Sequence, residues 1–250
     1  MNYIIYDLEF NQIMTDSTEG AGGSSLPFEI IQLGALKLNE RLEIVSTFNT
    51  FVKPSVHTKI HPFIESLTGI NNGKVDFQKS FPQIYEDFLS FTGNEEVILC
   101  VWGTVDIREL LRNIKYHQLP PLNFKLFIDV QRYASRHFNC NKGTRIGLKN
   151  AVEAFNIPTK ADFHDAYNDA FYTAEIFKAI YDESVVPKVY NPGGSYKRPA
   201  RLKEFVDETA LFRQFEKMYQ RKLTDDEMTM IKLAYIMGKT RQFIISKNPQ

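Results

Sequence analysis

Two carboxylates separated by one residue stand near the start of the chain, Asp7 and Glu9 in the segment Tyr3–Phe10. The segment is short and apolar and predicts a buried strand, in which residues i and i+2 point to the same face. Adjacent carboxylates on an apolar strand repel each other and lose hydration, and a divalent cation would remove that cost. Their hard oxygen ligands suit Mg²⁺ or Mn²⁺. Taken alone, the pair is also explained by two solvated acids at a strand end.

Two later segments add further groups of the same kind. Asp106, in Trp102-Gly-Thr-Val-Asp, lies where a buried strand turns into a helix, and alone it is explained as a helix-capping acid. Asp169 lies in the first turns of an apolar helix, where a lone charge is expensive. His164 comes just before that helix, and a histidine can take up a proton near neutral pH. Stabilisation of the helix dipole is the alternative for Asp169.

The joint order of these residues resembles that of the DEDDh exonucleases of the DnaQ-like, RNase H-like superfamily. They share an acid pair on the first strand, an Asp at a strand-to-helix turn and His-x-x-x-x-Asp opening a late helix. Pro27-Phe-Glu-Ile-Ile-Gln-Leu-Gly-Ala35 resembles that family's second strand, and Leu67-Thr-Gly-Ile70 matches a segment typical of the family. Over Phe28–Ala174 the similarity is closest to the enhanced-RNAi-type branch, which includes the bacterial KapD-type sporulation inhibitors. The resemblance covers roughly Met1–Ser184.

The resemblance implies a role for each of the five residues. Asp7 would bridge two Mg²⁺ or Mn²⁺ ions, Glu9 and Asp169 would complete the shell of the ion on the nucleophile side, and Asp106 would contribute directly or through water. His164 would act as the general base on the attacking water. The implied reaction releases nucleoside 5′-monophosphates from the 3′ ends of single-stranded RNA or DNA.

The resemblance also implies contacts to the terminal nucleotide. Phe10, directly after the acid pair, would stack on a base, a contact worth about 1–3 kcal/mol. Leu67 and Thr68 would line the nucleotide pocket, and Trp102 would join them. Core packing is the alternative for both Phe10 and Trp102. Asp162 and Asp165, which flank the proposed base, are interpreted as surface acids.

The other periodicities predict the elements that must position these residues. Strands are expected at Phe28–Leu38 and Ile44–Val52 around a turn at Asn39–Glu43, and at Val97–Trp102. Helical spacing follows in eight further segments. These are His61–Thr68, Ser80–Thr92, Val105–Gln118, Phe127–Phe138, Thr144–Phe155, Tyr167–Asp182, Arg201–Arg221 and Thr224–Lys239. This order predicts an α/β fold, a mixed RNase H-like sheet flanked by helices, with a small C-terminal helical appendage.

The predicted domain organisation has three parts. Residues 1–186 form the exonuclease domain, residues 187–199, with three prolines and a Gly-Gly, form a linker, and residues 200–250 form a basic helical appendage. The Gly- and Ser-rich stretch Asn11–Pro27 predicts a long loop beside the acid pair. It is interpreted either as a lid that admits a particular substrate end or as decoration.

Charge and composition narrow the function class. The chain has 30 basic and 30 acidic residues, but from Pro187 onward it has 13 basic and 7 acidic, a net charge of +6. This basic part would gather phosphates, bind a protein partner or form a solvated helical surface. Its candidate phosphate ligands are Arg198, Arg201, Lys203, Arg221, Lys222, Lys239 and Arg241.

Other classes of protein find no support in the composition. The two cysteines, Cys100 and Cys140, lack the spacing of a zinc site or a disulfide framework. No apolar run approaches the length of a membrane span, and no leader-like segment opens the chain, so a soluble cytoplasmic protein is expected.

Three functions compete at this point. A free-standing 3′→5′ exonuclease is favoured, with RNA slightly preferred over DNA because of the branch resemblance. The second is a proofreading subunit that docks on a polymerase through its C-terminal helices. The third is a non-catalytic nucleic-acid-binding regulator, against which the intact set of five residues argues.

Overall fold

The computed structural model describes residues 2–12, 26–93, 96–122, 124–141, 143–159, 161–191 and 207–239. They belong to two compact units, Met1–Gly193 and Gly194–Gln250. Most of the predicted loop Asn11–Pro27, residues 13–25, lies outside the described residues, as do residues 192–199 of the predicted linker. The predicted boundaries at residues 186 and 199 stay predictions.

A six-stranded mixed sheet with the order β3-β2-β1-β4-β5-β6 organises the first unit. Its strands are β1 Asn2–Gln12, β2 Phe28–Leu38, β3 Ile44–Phe51, β4 Val97–Val101, β5 Leu126–Asp129 and β6 Lys188–Val189. The β1–β2, β2–β3 and β5–β6 pairs are antiparallel, whereas β1–β4 and β4–β5 are parallel. The carboxyl ends of β1, β4 and β5 therefore meet at one edge of the sheet.

Seven helices accompany the sheet in the described part of the first unit. They are α1 Pro62–Thr68, α2 Asn72–Val75, α3 Phe81–Thr92, α4 Val105–Tyr116, α5 Val130–His137, α6 Leu148–Ala154 and α7 Ala166–Ile180. The α1 helix ends at Gly69, whose φ of 67° is left-handed. None of the helices described in either unit is long and apolar enough to cross a membrane.

Successive side chains of β1 point alternately to the two faces of the sheet, and each face has its own hydrophobic core. Tyr6 packs with residues of α3 and α4, whereas Ile5 packs with residues of α5 and α7. Because the side-chain period of a strand is two, Asp7 and Glu9 continue the face of Ile5. The acid pair therefore faces the layer that contains α7.

Two predicted segments contain strand residues that the sequence did not suggest. In the predicted helix Phe127–Phe138 the first residues belong to β5, which pairs in parallel with β4, and α5 begins only at Val130. A short apolar run looks alike in a buried parallel strand and in a buried helix, so periodicity alone does not separate them. The predicted linker is not loop throughout either, since Lys188–Val189 pair with β5.

The described part of the second unit is a pair of helices, α8 Glu208–Tyr219 and α9 Asp225–Lys239. Thr224 and Glu227 form a capping box, in which Thr224 N donates to the Glu227 side chain at 2.9 Å and Glu227 N donates to the Thr224 hydroxyl at 3.3 Å. An apolar groove of about 420 Å³ lies between the helices. Arg221 forms an ion pair with Glu227, and Lys222 forms one with Glu216. The charges of these two predicted phosphate ligands are therefore already balanced by carboxylates of the same unit.

The α7 helix approaches the sheet most closely at Gly34 of β2. A Cβ on Gly34 would lie 2.2 Å from the backbone nitrogen of Tyr167 and 2.3 Å from the carbonyl carbon of Ala166. Gly34 is also the partner of Asp7 across the β1–β2 ladder. The absent side chain thus lets the first turn of α7 lie directly over the strand next to Asp7.

Replacing Gly34 by Ala forces the backbone of α7 away from β2. We expect the free energy of unfolding to fall by about 2–3 kcal/mol, since backbone atoms cannot yield as a flexible side chain can. Denaturant unfolding measures this loss. Gly147→Ala is the control for an added Cβ that meets no neighbour within 4 Å; because Gly147 is the N-cap of α6, it should cost no more than about 1 kcal/mol. Equal stability of the two variants would contradict the close approach.

Candidate active site

The acid pair lies near the carboxyl end of β1. Asp7 is opposite Gly34 and Glu9 is opposite Gln32 in the neighbouring strand, and both carboxylates are half-buried. The regular register with β2 is interrupted between Glu9 and Phe10. Asp7 and Glu9 are therefore the last two residues of β1 that face α7 before its register with β2 shifts. They share one face of the strand, as their i, i+2 spacing predicts.

Asp106 and Asp169 are acids in the first turns of α4 and α7. Asp106 is 7% exposed and Asp169 is 9% exposed, which is unusual for charged side chains. One oxygen of Asp169, Oδ2, accepts a hydrogen bond from the backbone N–H of His164 at 3.2 Å. The other oxygen, Oδ1, is buried and has no hydrogen-bond partner among the described residues.

The five predicted residues come together at the edge where β1 and β4 end. Ligand atoms of Glu9, His164 and Asp169 all lie within 4.8 Å of one another. Asp7 and Asp106 join them through their charges, since both Asp106 and Asp169 raise the pKa of Asp7. Residues from separate parts of the chain thus form one acidic cluster with a histidine at its rim.

Burial is the main cause of the electrostatic strain in this cluster. Burial first, and then the surrounding carboxylates, raise the pKa of Glu9 to about 8 and hold that of Asp7 well above its usual range. The pKa of Asp106 rises to about 7 and that of Asp169 to about 6, again chiefly through burial. Hard oxygen ligands that repel one another and lack compensating cations are suited to divalent metal ions. The unpartnered Oδ1 of Asp169 fits the same interpretation.

His164 is exposed and has a left-handed backbone, with φ of 64°. This conformation is uncommon for residues other than glycine and needs support from its surroundings. The hydroxyl of Tyr172 in α7 donates to the carbonyl of Ala161 at 2.7 Å and accepts from its N–H at 3.0 Å. Phe163 packs on the Tyr172 ring with centroids 4.9 Å apart. These contacts fix the turn that carries His164 against α7.

Asp165 has a role that the sequence did not suggest. Its interpretation as a surface acid is wrong, because it is the N-cap of α7, and its Oδ1 accepts from Tyr167 N at 3.1 Å and Asn168 N at 3.0 Å. Its Oδ2 accepts from Nε2 of the fully buried Gln32 at 2.8 Å. The Gln32 Oε1 in turn accepts from Ala166 N at 3.2 Å. This network joins β2 to the first turn of α7; the Asp before the helix was its only signal in the sequence.

Asn11 is a second buried polar residue that the sequence placed in the loop after β1. Its Nδ2 donates to the carbonyls of His57 and Lys59 at 2.8 and 2.9 Å, and its Oδ1 accepts from His61 N at 2.9 Å. His61 is the N-cap of α1. The end of β1 is therefore tied to the helix that contains Leu67.

The predicted nucleotide contacts lie in different environments. Phe10 packs on Phe28, with ring centroids 6.2 Å apart, on the face of the sheet opposite the acid pair. Leu67 is 40% exposed at the end of α1, where the Thr68 hydroxyl donates to the Ile64 carbonyl at 2.8 Å. Trp102 is half-buried against the α7-side core. The packing of Phe10 favours the core alternative, and all four contacts stay predictions.

Comparison with known proteins agrees with this geometry. The model of the family RNase_T, described as "Exonuclease", matches residues 4–177. ERI1 exoribonuclease 3 of Homo sapiens is 31% identical over 164 residues, which cover 62% of this chain and 48% of that protein. The chain thus spans about half the length of this relative. The probable 3′-5′ exonuclease KapD of Bacillus subtilis (strain 168) is 24% identical over 187 residues, covering 74% of this chain and 86% of that protein.

Among solved structures, the nuclease domain of 3′hExo, a DEDDh family member bound to rAMP, superimposes with a TM-score of 0.63 at 22% identity. The match covers 76% of this chain and 96% of that one, and it shows the RNase H-like fold. The family match spans more than half of the chain and includes all five residues of the acidic cluster. The chain therefore belongs to the exonuclease family.

Proposed function

We propose that this protein is a metal-dependent 3′→5′ exonuclease that hydrolyses the terminal phosphodiester bond of single-stranded nucleic acid and releases nucleoside 5′-monophosphates. The observation that carries the proposal is the convergence of Glu9, His164 and Asp169 within 4.8 Å, beside the half-buried Asp7 and the buried Asp106. Such a site combines cation ligands with a group able to accept a proton.

Four carboxylates would hold two divalent cations, Mg²⁺ or Mn²⁺. They are those of Asp7, Glu9, Asp106 and Asp169. When bound, such ions polarise a water molecule and stabilise the charge on the leaving 3′ oxygen. The protein contributes rigidity, since Asp169 is fixed by its bond from His164 N and α7 is fixed on β2 by Gln32. The fixed carboxylates need not rearrange during the reaction.

His164 would take the proton of the attacking water. Its ring lies at the rim of the cluster, in contact with solvent, so the proton can pass to bulk water after each turnover. The Tyr172 contacts keep the turn in place while the ring changes charge. The released nucleotide keeps its phosphate on the 5′ oxygen, because water attacks phosphorus and the 3′ oxygen leaves.

RNA is the favoured substrate. The relative from Homo sapiens is named an exoribonuclease, and the similar nuclease domain was solved with rAMP. A structure of E. coli exonuclease I with a dT13 oligonucleotide has a similar fold, with a TM-score of 0.56, so the fold alone is compatible with DNA. Discrimination would depend on a contact to the 2′-hydroxyl. Leu67 and Thr68, at the end of the α1 helix that Asn11 ties to β1, are the proposed pocket residues.

The proposed domain assignment keeps residues 1–186 as the exonuclease domain and residues 200–250 as a separate appendage. In the described part of the appendage, ion pairs compensate Arg221 and Lys222, while the groove between α8 and α9 is apolar. Protein binding by this unit is therefore favoured over phosphate binding. The proposed location in the cell is the cytoplasm.

The polarity and site of cleavage are tested with single-stranded RNA and DNA oligonucleotides labelled at the 5′ end. Wild-type protein with Mg²⁺ or Mn²⁺ should produce a ladder that shortens from the 3′ end, faster on RNA. Asp7→Ala should reduce the rate by roughly 10³-fold, since removal of a cation ligand removes several kcal/mol of transition-state stabilisation. Asp162→Ala, an exposed acid beside the site, is the matched control. An unchanged ladder with Asp7→Ala would sink the mechanism.

Replacing His164 by Ala tests the proton acceptor separately. We expect kcat to fall by about 10²–10⁴-fold, the usual contribution of a general base, while titration calorimetry shows Mn²⁺ binding at wild-type affinity. Loss of Mn²⁺ binding in His164→Ala would make the side chain a cation ligand instead.

The raised carboxylate pKa values predict how the stability of the metal-free protein depends on pH. Because the folded-state pKa values of Glu9 and Asp106, about 8 and about 7, lie above those of an unfolded chain, protonation favours the folded state. Stability should therefore decrease as the pH rises from about 5 to about 8.

Melting temperatures in EDTA and in Mg²⁺ measure this dependence. Mg²⁺ should raise the melting temperature most at about pH 8, where the carboxylates carry the most charge. The Glu9→Gln/Asp106→Asn variant should have a flatter profile in EDTA than the wild type. A metal-free wild type that becomes more stable across this range would contradict the electrostatics of the site.

A further inference from the structure

Four basic side chains gather on the first unit away from the acidic cluster. Arg132 and Arg136 lie one turn apart on α5, and Lys188 in β6 is opposite Phe127 of β5. Arg145 reaches the end of β5, where its Nη1 lies 3.3 Å from Oδ2 of Asp129. We call Arg132, Arg136, Arg145 and Lys188 the α5 basic cluster.

Specific contacts hold this cluster together. The Tyr133 hydroxyl on α5 donates to the carbonyl of Val186 at 3.0 Å and accepts from its N–H at 3.1 Å, which fastens the segment before β6 to α5. Lys188 follows two residues later. Partial desolvation and the charges of the three arginines all lower the pKa of Lys188, consistent with their proximity.

The charges of the cluster are poorly compensated. Within the described ranges, Asp129 is the one carboxylate found to raise the pKa of Lys188. Asp129 is already engaged, since its Oδ1 accepts from Arg132 N and its Oδ2 pairs with Arg145. Arg132, Arg136 and Lys188 form no ion pair with any described residue. Three excess positive charges at one place create a potential that attracts anions.

The cluster adjoins the edge of the sheet that contains the acidic site. Asp129 is the last residue of β5, which runs parallel to β4 and β1. Since β4 lies between them, β5 is two strand spacings, about 10 Å, from β1. Gln131 in the first turn of α5 contacts the turn before α4, because its Oε1 is 3.2 Å from where a Cβ on Gly103 would stand. The turn before α4, the helix that contains Asp106, therefore contacts the first turn of the helix that contains Arg132 and Arg136.

We propose that the α5 basic cluster binds backbone phosphates of the substrate strand upstream of its 3′ terminus. This proposal rests on the proposed function of the acidic site. The four carboxylates repel the substrate phosphates that are not being cleaved. Basic side chains beside the site would therefore strengthen the binding of the incoming nucleic acid. Arginine forks bind phosphate oxygens in pairs, and such contacts carry no base specificity.

The proposed contact between the α5 basic cluster and the substrate phosphates predicts that binding affinity depends on substrate length. A dinucleotide, whose single internucleotide phosphate is the one that is cleaved, would occupy the acidic site and offer no upstream phosphate to the cluster, whereas a 20-nucleotide strand would engage both. The Arg132→Gln/Arg136→Gln variant should therefore weaken binding of the long strand by roughly tenfold and leave the short strand within about twofold. The slope of log Kd against log salt should fall by about 1.4, or 0.7 for each phosphate that the variant no longer binds.

Fluorescence anisotropy with 5′-fluorescein oligonucleotides of 2 and 20 nucleotides measures these affinities on the full chain with Mn²⁺, with every variant made in the His164→Ala protein so that turnover is slow. Arg41→Gln/Lys115→Gln is the matched control, since both residues are exposed and lie outside α5, β5 and β6. Lys188→Gln, on an exposed residue, provides a second variant with little risk to folding. It should lower the slope by about 0.7.

The outcomes separate the two proposals. If the wild type shortens 3′ ends but the cluster variants bind long strands as tightly as the control does, the cluster proposal alone is overturned. Equal losses on both lengths would also overturn it, because they would indicate a general change in the protein. If long strands bind through the cluster but no strand is ever shortened, the cluster proposal holds and the proposed function fails. No binding by the His164→Ala protein overturns the cluster proposal.

Discussion

The contact between the first turn of α7 and the backbone of β2 determines the rest of the site. Gly34 leaves the space for it, and Gln32 bonds both the N-cap Asp165 and the N–H of Ala166. Asp169 lies one turn into the same helix, so this contact sets its distance from Asp7 on the adjacent strand. A side chain at residue 34, or the removal of the amide at residue 32, would therefore change the distance between these two acids.

Without bound cations the acidic cluster lowers the stability of the fold, because its carboxylates are close together and shielded from water. Burial raises the pKa of each of its acids, and their mutual repulsion adds to the effect at Asp7 and Glu9. A structure that places four buried or half-buried carboxylates together gives up stability in the metal-free state and gains affinity for divalent cations. The carboxylates also repel the phosphates of the substrate. The proposed role of the basic side chains on α5 is to offset this repulsion beside the site.

The sequence predicted much of the fold and singled out five residues that the structure brings together at one edge of the sheet, for physical reasons that differ between elements. The i, i+2 spacing of Asp7 and Glu9 sets their common face once β1 is a strand, and Gly69 and the Thr224 capping box are local signals. The strand β5 was missed because Leu126–Asp129 pairs with a distant segment and has no local signature. Asp165 and the buried Gln32 were missed for the same reason, since their roles exist only when α7 meets β2.

The most direct test of the central claim is the fate of the water oxygen. A single-stranded RNA oligonucleotide is digested in H₂¹⁸O with Mg²⁺ or Mn²⁺, and the released mononucleotides are analysed by mass spectrometry. Water attack on phosphorus at the Asp7 and His164 site predicts nucleoside 5′-monophosphates, each carrying one ¹⁸O on its phosphate. Nucleoside 3′-monophosphates or 2′,3′-cyclic phosphates, or 5′-monophosphates without the label, would contradict it.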